Sequence, residues 1–143
     1  MKIARIFTLL FILVLLGIKP LHAKKDNPTV FLFGVASSFN DTVVYITDIQ
    51  PINGILLQKH TGFLPGIGLY SQQLKSFFQK EKGMPNRLCT VFFGTSEKKL
   101  RSKVIEVRKS FLEEKKMKVM PLLSSEFQFK WVGEILENIP EVK

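Results

Sequence analysis

Two side chains of this sequence are of the types that form a catalytic nucleophile and its base. Cys89 is the single cysteine, and His60 is the only histidine after position 23. Such a pair works when the imidazole activates a neighbouring thiolate and a third group orients the ring. His60 stands among glycines and prolines, whereas Cys89 lies near the start of the apolar run Arg87–Gly94. In such a run a cysteine behaves as a small hydrophobic residue, so we expect Cys89 to pack in a core.

Other catalytic and ligand sites lack their usual residues. A structural zinc ion takes four Cys or His ligands, but only two such residues follow position 23. The segment 62–68 (GFLPGIG) is glycine-rich, yet it matches neither phosphate-loop pattern, and the chain has no G-x-S-x-G motif. Asp41 and Asp48 are too few and too scattered for a calcium loop. The sequence therefore predicts no catalytic residue, no metal site and no cofactor, and it favours a protein that is not an enzyme.

The first 23 residues have the three-part pattern of a secretory signal peptide. Lys2 and Arg5 precede the apolar run Ile6–Ile18, and the segment ends on the small residue Ala23. A retained N-terminal anchor is the alternative, although a membrane-spanning helix needs about 20 apolar residues. We expect cleavage near Ala23 and an exported protein, either periplasmic or secreted. Residues 24–143 then form a single domain.

Charge and cysteine content narrow the class of protein further. The chain carries +9 at pH 7, and removal of Lys2, Arg5 and Lys19 with the leader leaves 18 Lys and Arg against 12 Asp and Glu, or +6. Such a charge favours anionic partners. A single cysteine allows no intrachain disulfide, so the mature domain must be stabilised by packing.

The strongest charge pattern lies in a helix predicted from about Ser96 to Lys116. Apolar residues at spacings of four, three and four predict one buried stripe, formed by Leu100, Val104, Val107 and Phe111. Most cations then face solvent, and the candidate contacts to an anionic partner are Lys98, Lys99, Arg101, Lys103, Arg108 and Lys109. The alternative is a solvated helix with internal ion pairs such as Glu106–Lys109. Candidate partners are an anionic glycan, peptidoglycan or a membrane surface; nucleic acid is the least expected, because an exported protein seldom meets it.

The remaining patterns predict a two-layer α+β sandwich, in which a mixed, mostly antiparallel sheet carries two helices on one face. The breaker-rich segment Gln50–Gly68 is a long loop that contains one short strand, Ile55–Leu57. A second helix is predicted over Leu69–Lys82, with Gly83 and Pro85 as its stop signal. The approximate order is β-β-α-β-α-β-β, and its strands are Thr29–Ala36, Thr42–Ile49, Arg87–Gly94, Val119–Leu123 and Phe127–Val132.

A candidate modification site lies in the predicted turn of the first hairpin. Asn40-Asp41-Thr42 is a glycosylation-type sequon. The overlapping Asp41-Thr42-Val43 resembles the Asp-Thr-aliphatic site of O-glycosylation in some Bacteroides-type bacteria. This resemblance makes Thr42 the candidate acceptor.

Two longer segments resemble known families. Residues 33–50 (FGVASSFNDTVVYITDIQ), followed by YSQQL at 70–74, resemble a family of small exported proteins of Bacteroides-type bacteria. That resemblance implies export and carries no activity. Residues 29–39 (TVFLFGVASSF), together with CTVFFGTS at 89–96 before the basic helix, are similar to the SPOR-type domain, which implies peptidoglycan binding. That family begins β-α-β, whereas a hairpin is predicted here.

The function that the sequence favours is an exported, non-enzymatic binding or envelope-associated module that contacts an anionic partner through its basic helix. Two alternatives stay open at this point. One is a SPOR-like peptidoglycan-binding domain, and the other is a small envelope hydrolase with its site in the 50–68 loop.

Overall fold

The computed structural model describes residues 29–55 and 57–133. The predicted signal peptide, residues 1–23, lies outside the described residues, as does the end of the chain from position 134. Within the described part, no helix combines the length and the apolar character that crossing a membrane requires.

A mixed sheet of five strands and two helices make up the described residues, which confirms the predicted α+β class. The strands are β1 (Val30–Ser37), β2 (Val43–Thr47), β3 (Gln50–Ile52), β4 (Leu88–Gly94) and β5 (Lys118–Leu122). The helices are α1 (Ile67–Lys80) and α2 (Glu97–Lys109), and one π-helical turn, Ser110–Glu114, continues α2. The observed order is β-β-β-α-β-α-β, because a short third strand lies at 50–52 and no strand follows β5 in the described residues. Of the short strand predicted at 55–57, positions 55 and 57 lie outside the strands and position 56 lies outside the described residues.

β1 is the centre of the sheet. β4 pairs with it antiparallel along one edge, from Phe31 opposite Gly94 to Ser37 opposite Leu88. β2 and β3 share the other edge, both antiparallel to β1. β5 lies beyond β2 and runs parallel to it. This parallel pair requires a crossover, and the chain between β2 and β5 supplies it through β3, both helices and β4.

A one-residue shift in register separates β2 from β3. Ile46 of β2 lies opposite Val35, whereas Gln50 of β3 lies opposite Leu32. The chain that leads from β2 into β3 therefore has one residue more than β1 between these two pairs. At this β-bulge the Gly34 amide donates to the Thr47 hydroxyl at 2.8 Å. The Thr47 side chain therefore replaces a hydrogen bond that the interrupted ladder cannot make.

The two helices cover opposite faces of the sheet, which corrects the prediction of two helices on one face. Val30, Leu32 and Ala36 of β1 pack in the core with α1. Phe33 and Val35, which alternate with them, pack in a second cluster with Leu100 of α2. Because successive side chains of a strand point to opposite faces, a strand that is apolar at every position needs cover on both sides.

α1 packs closely on β1 through an aromatic and aliphatic stripe. Its buried residues are Tyr70, Leu74, Phe77 and Phe78. Gly34 permits this approach, since a Cβ atom at that position would lie 2.6 Å from Leu74 Cδ2. The helix ends before Gly83, which has a φ of +64°.

The segment Phe127–Val132, predicted as a strand, runs without backbone pairing in the described residues. Two glutamine side chains hold it instead. The Gln50 amide donates to Phe127 O at 3.0 Å and accepts from Phe129 N at 2.8 Å. Gln73 of α1 makes the same exchange with the Lys130 backbone, at 2.8 Å in both directions. Side-chain amides thus take the place of a neighbouring strand.

Candidate functional site

α2 lies on the sheet with little of its surface buried. Leu100 is its only fully buried residue, while Val104, Val107 and Phe111 are half-buried. Ser96 caps the helix by accepting a hydrogen bond from Lys99 N at 3.3 Å, and Glu97 adds an acidic group in the first turn. The predicted inner stripe is therefore confirmed, and the remaining helix surface faces solvent.

Ile105 is the apolar centre of the exposed side of α2. Its side chain is 64% exposed. The six helix neighbours at three, four and seven positions away lie on the same side, and four of them are cations: Lys98, Arg101, Arg108 and Lys109. The other two are Ser102 and Leu112; Leu112, in the π-helical turn, is 46% exposed. We call Ile105, Leu112 and the four cations the α2 outer patch.

Ion pairs within the helix neutralise part of this charge. Arg101 pairs with Glu97, and Lys109 approaches Glu113 at 3.8 Å. Lys98 and Arg108 have no carboxylate partner among the described residues. These exposed pairs contribute little stability, so an external anion can compete for their cations.

The other two predicted cations, Lys99 and Lys103, lie on a different side of α2. They line a groove of about 450 Å³ together with Phe92 and Phe93 of β4 and Leu100 of α2. Lys103 pairs with Glu106 at 2.7 Å, so the predicted Glu106–Lys109 pair does not form. The structure therefore divides the six candidate residues into a group of four around Ile105 and a group of two beside β4.

The sequence pattern does not mark Ile105 and Leu112 as site residues. Both lie next to the predicted buried stripe, and a helix of this pattern can bury them by a small rotation. The signal that could have found them is their spacing of seven residues, with cations at every intermediate neighbour position on that side. Exposure of both side chains follows from the way α2 rests on Phe33 and Val35.

Cys89 and His60 are placed differently from a catalytic pair. Cys89 is half-buried in β4, and its thiol interacts with Arg87 O at 4.0 Å. Burial raises the pKa of the Cys89 thiol to about 11, against smaller opposing effects of the Lys75 and Arg87 charges. The thiol is therefore protonated at neutral pH. His60 is exposed in a turn of the long loop, and the described residues contain no group of three His, Cys, Asp or Glu side chains suited to a metal ion.

Thr42 is exposed at the end of a firmly held turn. The Asp41 carboxylate accepts hydrogen bonds from Val43 N at 3.0 Å and from Arg87 Nη2 at 2.6 Å. The Arg87 side chain is only 4% exposed and also stacks over the Tyr45 ring, with its Cζ atom 5.0 Å from the ring centre. The turn therefore holds the exposed Thr42 in a defined position, and Phe39 in the same turn is almost fully exposed.

The long loop is packed against the molecule through Ile55 and Leu64, both of which are buried. Its Phe63 ring contacts the Phe93 ring edge-on, with centroids 6.4 Å apart. The groove beside β4 and a second groove of about 550 Å³, between α1 and residues 126–132, are lined by residues outside this loop. The second groove has both signs of charge at its rim, including Lys80, Glu81 and Lys130.

Comparison with protein-family models, with curated proteins and with solved structures finds no match to this chain. What the protein does is therefore inferred from its own residues.

Proposed function

We propose that this protein is an exported, non-enzymatic binding module that attaches to an anionic membrane surface of the cell envelope through the α2 outer patch. The observation that carries the proposal is the exposed Ile105 with four cations and Leu112 around it. Amphipathic helices that lie in a membrane interface combine apolar side chains with Lys and Arg in this way.

The physical chemistry of the patch fits reversible attachment. Each Lys or Arg near an anionic membrane surface contributes about 1 kcal/mol. Four such residues contribute about 4 kcal/mol, which alone corresponds to a millimolar dissociation constant. Partial insertion of Ile105 and Leu112 adds a fraction of the roughly 1.5–3 kcal/mol that full burial of such a side chain provides. The long aliphatic stems of Lys and Arg can lie along the interface while their charges stay at the headgroups.

An anionic glycan would use the same cations but not the apolar residues. A polysaccharide chain offers charges and hydroxyl groups, whereas a bilayer also offers an apolar region below its headgroups. Exposed Ile105 and Leu112 therefore favour the membrane surface over a glycan. The two partners differ in their response to removal of the apolar side chains.

Vesicle sedimentation tests the proposal. Purified protein is mixed with vesicles of phosphatidylcholine alone and with vesicles that contain phosphatidylglycerol. We expect binding only to the second kind, and release by salt because screening shortens the range of the attraction. The double variant Lys98→Glu/Arg108→Glu should weaken binding by more than tenfold. Lys59→Glu/Lys130→Glu is the matched control, because both residues are exposed and the net charge changes equally.

The variant Ile105→Ser separates the membrane from a glycan. Weaker vesicle binding at unchanged charge supports insertion of the side chain. Equal loss of binding in the two double variants would show that only overall charge matters, and would contradict a defined patch. Undiminished vesicle binding by Ile105→Ser, with binding to an anionic polysaccharide, would contradict the membrane proposal and favour a glycan partner.

A further inference from the structure

We infer that the outer edge of β4 is a docking site for an extended peptide segment with acidic side chains, which joins the sheet as an additional strand. This site goes beyond the proposed membrane attachment, since it is formed by the backbone of β4 and not by the α2 outer patch. In the part of the chain that the structure describes, β4 pairs with β1 alone over its seven residues.

The register identifies which backbone groups point away from the sheet. The Gly34 amide points towards β2, where it donates to Thr47. Its partner across the other edge, Val91, is therefore in a non-hydrogen-bonded pair with β1. The N–H and C=O groups of Val91, and by alternation those of Cys89 and Phe93, point outward. No described backbone group outside β1 is bonded to this strand.

The two edges of the sheet differ in their protection. β5, at the far edge, contains Pro121 and Lys118, and such residues prevent unwanted strand pairing. β4 (LCTVFFG) has no proline and no charged residue, and its ladder to β1 is continuous without a bulge. An unprotected edge of this length is the feature that strand addition uses in peptide recognition.

The charges beside this edge favour an acidic peptide over a second copy of the chain. Lys75 lies close enough to Cys89 for its charge to act on the thiol. Lys99 and Lys103 line the groove at the Phe93 end of the strand. Antiparallel pairing of two copies around Val91 would bring the Cys89 end of each beside the Phe93 end of the other. Lys75 lies on the α1 face of the sheet and Lys99 and Lys103 on the α2 face, so each copy would add cations to both faces of the shared edge. The accumulation of like charge disfavours this pairing.

The bound peptide has a defined set of contacts. Its backbone pairs with Cys89, Val91 and Phe93, each of which offers one donor and one acceptor. One acidic side chain reaches the groove between Lys99 and Lys103, and a second lies near Lys75 at the opposite end. Hydrogen bonds to the backbone provide affinity, while the position of the acidic residues sets the register.

Amide hydrogen exchange and peptide titration test this inference. The probe is a synthetic peptide with an alternating valine–threonine core and a glutamate at each end. We expect the amides of Cys89, Val91 and Phe93 to exchange rapidly in the free protein and to become protected when the peptide is added. The amides of Thr90 and Phe92 face β1, so they should be protected before and after addition.

Two matched peptides serve as controls. N-methylation of alternate peptide amides removes the donors of one edge without changing charge, and it should weaken binding by at least tenfold. Replacement of both glutamates by lysine should weaken binding to a similar extent, and Lys99→Glu/Lys103→Glu in the protein should restore binding of the lysine peptide. Neither expectation depends on the membrane proposal, because no vesicle is present.

Several outcomes would overturn the inference. Equal binding of the N-methylated peptide, or no new protection at Cys89, Val91 and Phe93 with saturating peptide, would exclude strand addition. Protection of these amides in the free protein would also exclude it. Protection that increases with protein concentration would show that a second copy covers the edge. Protection that is independent of concentration would show that a segment of the same chain covers it.

Discussion

The amide side chain of Gln50 holds the segment Phe127–Val132 against the core, and its replacement by leucine gives a quantitative test of the fold. Gln50 is buried, with only 6% of the residue exposed. Its two hydrogen bonds, to Phe127 O and from Phe129 N, are buried. Gln50→Leu keeps a similar volume but leaves one acceptor and one donor of the backbone without partners.

The magnitude follows from these two groups. A buried polar group that loses its partner destabilises the folded protein by about 1–3 kcal/mol. Two such groups, partly offset by the apolar leucine, should lower the free energy of unfolding by about 2–4 kcal/mol. Gln73→Leu is the matched control, because Gln73 makes the same exchange with Lys130 near the surface. Water can replace that exchange, so its loss should be below about 1 kcal/mol.

Urea unfolding followed by circular dichroism measures both values. Gln50→Leu should reduce the midpoint strongly, and Gln73→Leu only slightly. If the two variants lost the same stability, or if Gln50→Leu left the midpoint unchanged, the side-chain amide would not hold the segment in the way described.

Three further predictions concern the core and β4. Burial raises the pKa of the Cys89 thiol to about 11 from an ordinary 9.0. Alkylation of the folded protein should therefore keep accelerating up to about pH 11, whereas in urea the rate should reach half its maximum near pH 9 and level off above about pH 10. Because the pKa of the folded protein is the higher one, the protonated thiol contributes its full stabilisation below pH 9, and this contribution is lost as the pH rises towards 11. The Cys89→Ala variant should lack this loss. If its stability depended on pH in the same way as that of the unmodified protein, the raised pKa of Cys89 would be refuted. Gly34→Ala should lower stability by about 1–3 kcal/mol, because the added methyl group would clash with Leu74. The control is Gly68→Ala, whose methyl group meets no atom within 4 Å, and it should leave stability unchanged or raise it by up to about 1 kcal/mol. Similar unfolding midpoints of the two variants would argue against the close packing of α1 on β1. Tyr70→Phe should lower stability in thermal unfolding by less than about 1 kcal/mol, because the buried Tyr70 hydroxyl makes no hydrogen bond of ordinary geometry and only the Val132 backbone lies near it. A larger loss would show that the hydroxyl forms a full hydrogen bond.

The main elements could be predicted from local patterns. The stripe from Tyr70 to Phe78 has the helical period, and the alternation of β-branched and aromatic residues in β1 and β2 predicts their hairpin. Each of these segments buries residues whose spacing is set by its own backbone geometry. Local sequence is sufficient for such elements.

The segment Phe127–Val132 shows where local pattern fails. Phe127 and Phe129 alternate as in a strand, and both are buried. The partner of this extended segment is the Gln50 side chain, 77 residues earlier. No local rule distinguishes a strand that pairs with backbone from an extended segment held by distant amides. The β-bulge after Thr47 is hidden for the same reason, because it depends on the register with β1.

The candidate site was partly predictable. Composition and spacing placed the cations on the solvent side of the basic helix, and the structure agrees. Their division into the α2 outer patch and the Lys99–Lys103 pair depends on how α2 is rotated on the sheet. That rotation is set by Phe33, Val35 and Phe92, which belong to other elements. The exposure of Ile105 therefore becomes visible only in the folded chain.

The most direct test of the membrane proposal is an NMR measurement with spin-labelled lipid. Protein labelled with ¹⁵N is mixed with phosphatidylglycerol-containing nanodiscs that carry a spin label at the headgroup, and the loss of each amide signal is recorded. We predict that the strongest losses fall on the α2 outer patch, centred on Ile105 and Leu112, and that they disappear at high salt. Losses centred elsewhere, for example on the groove between α1 and residues 126–132, or no losses at all, would contradict attachment through α2.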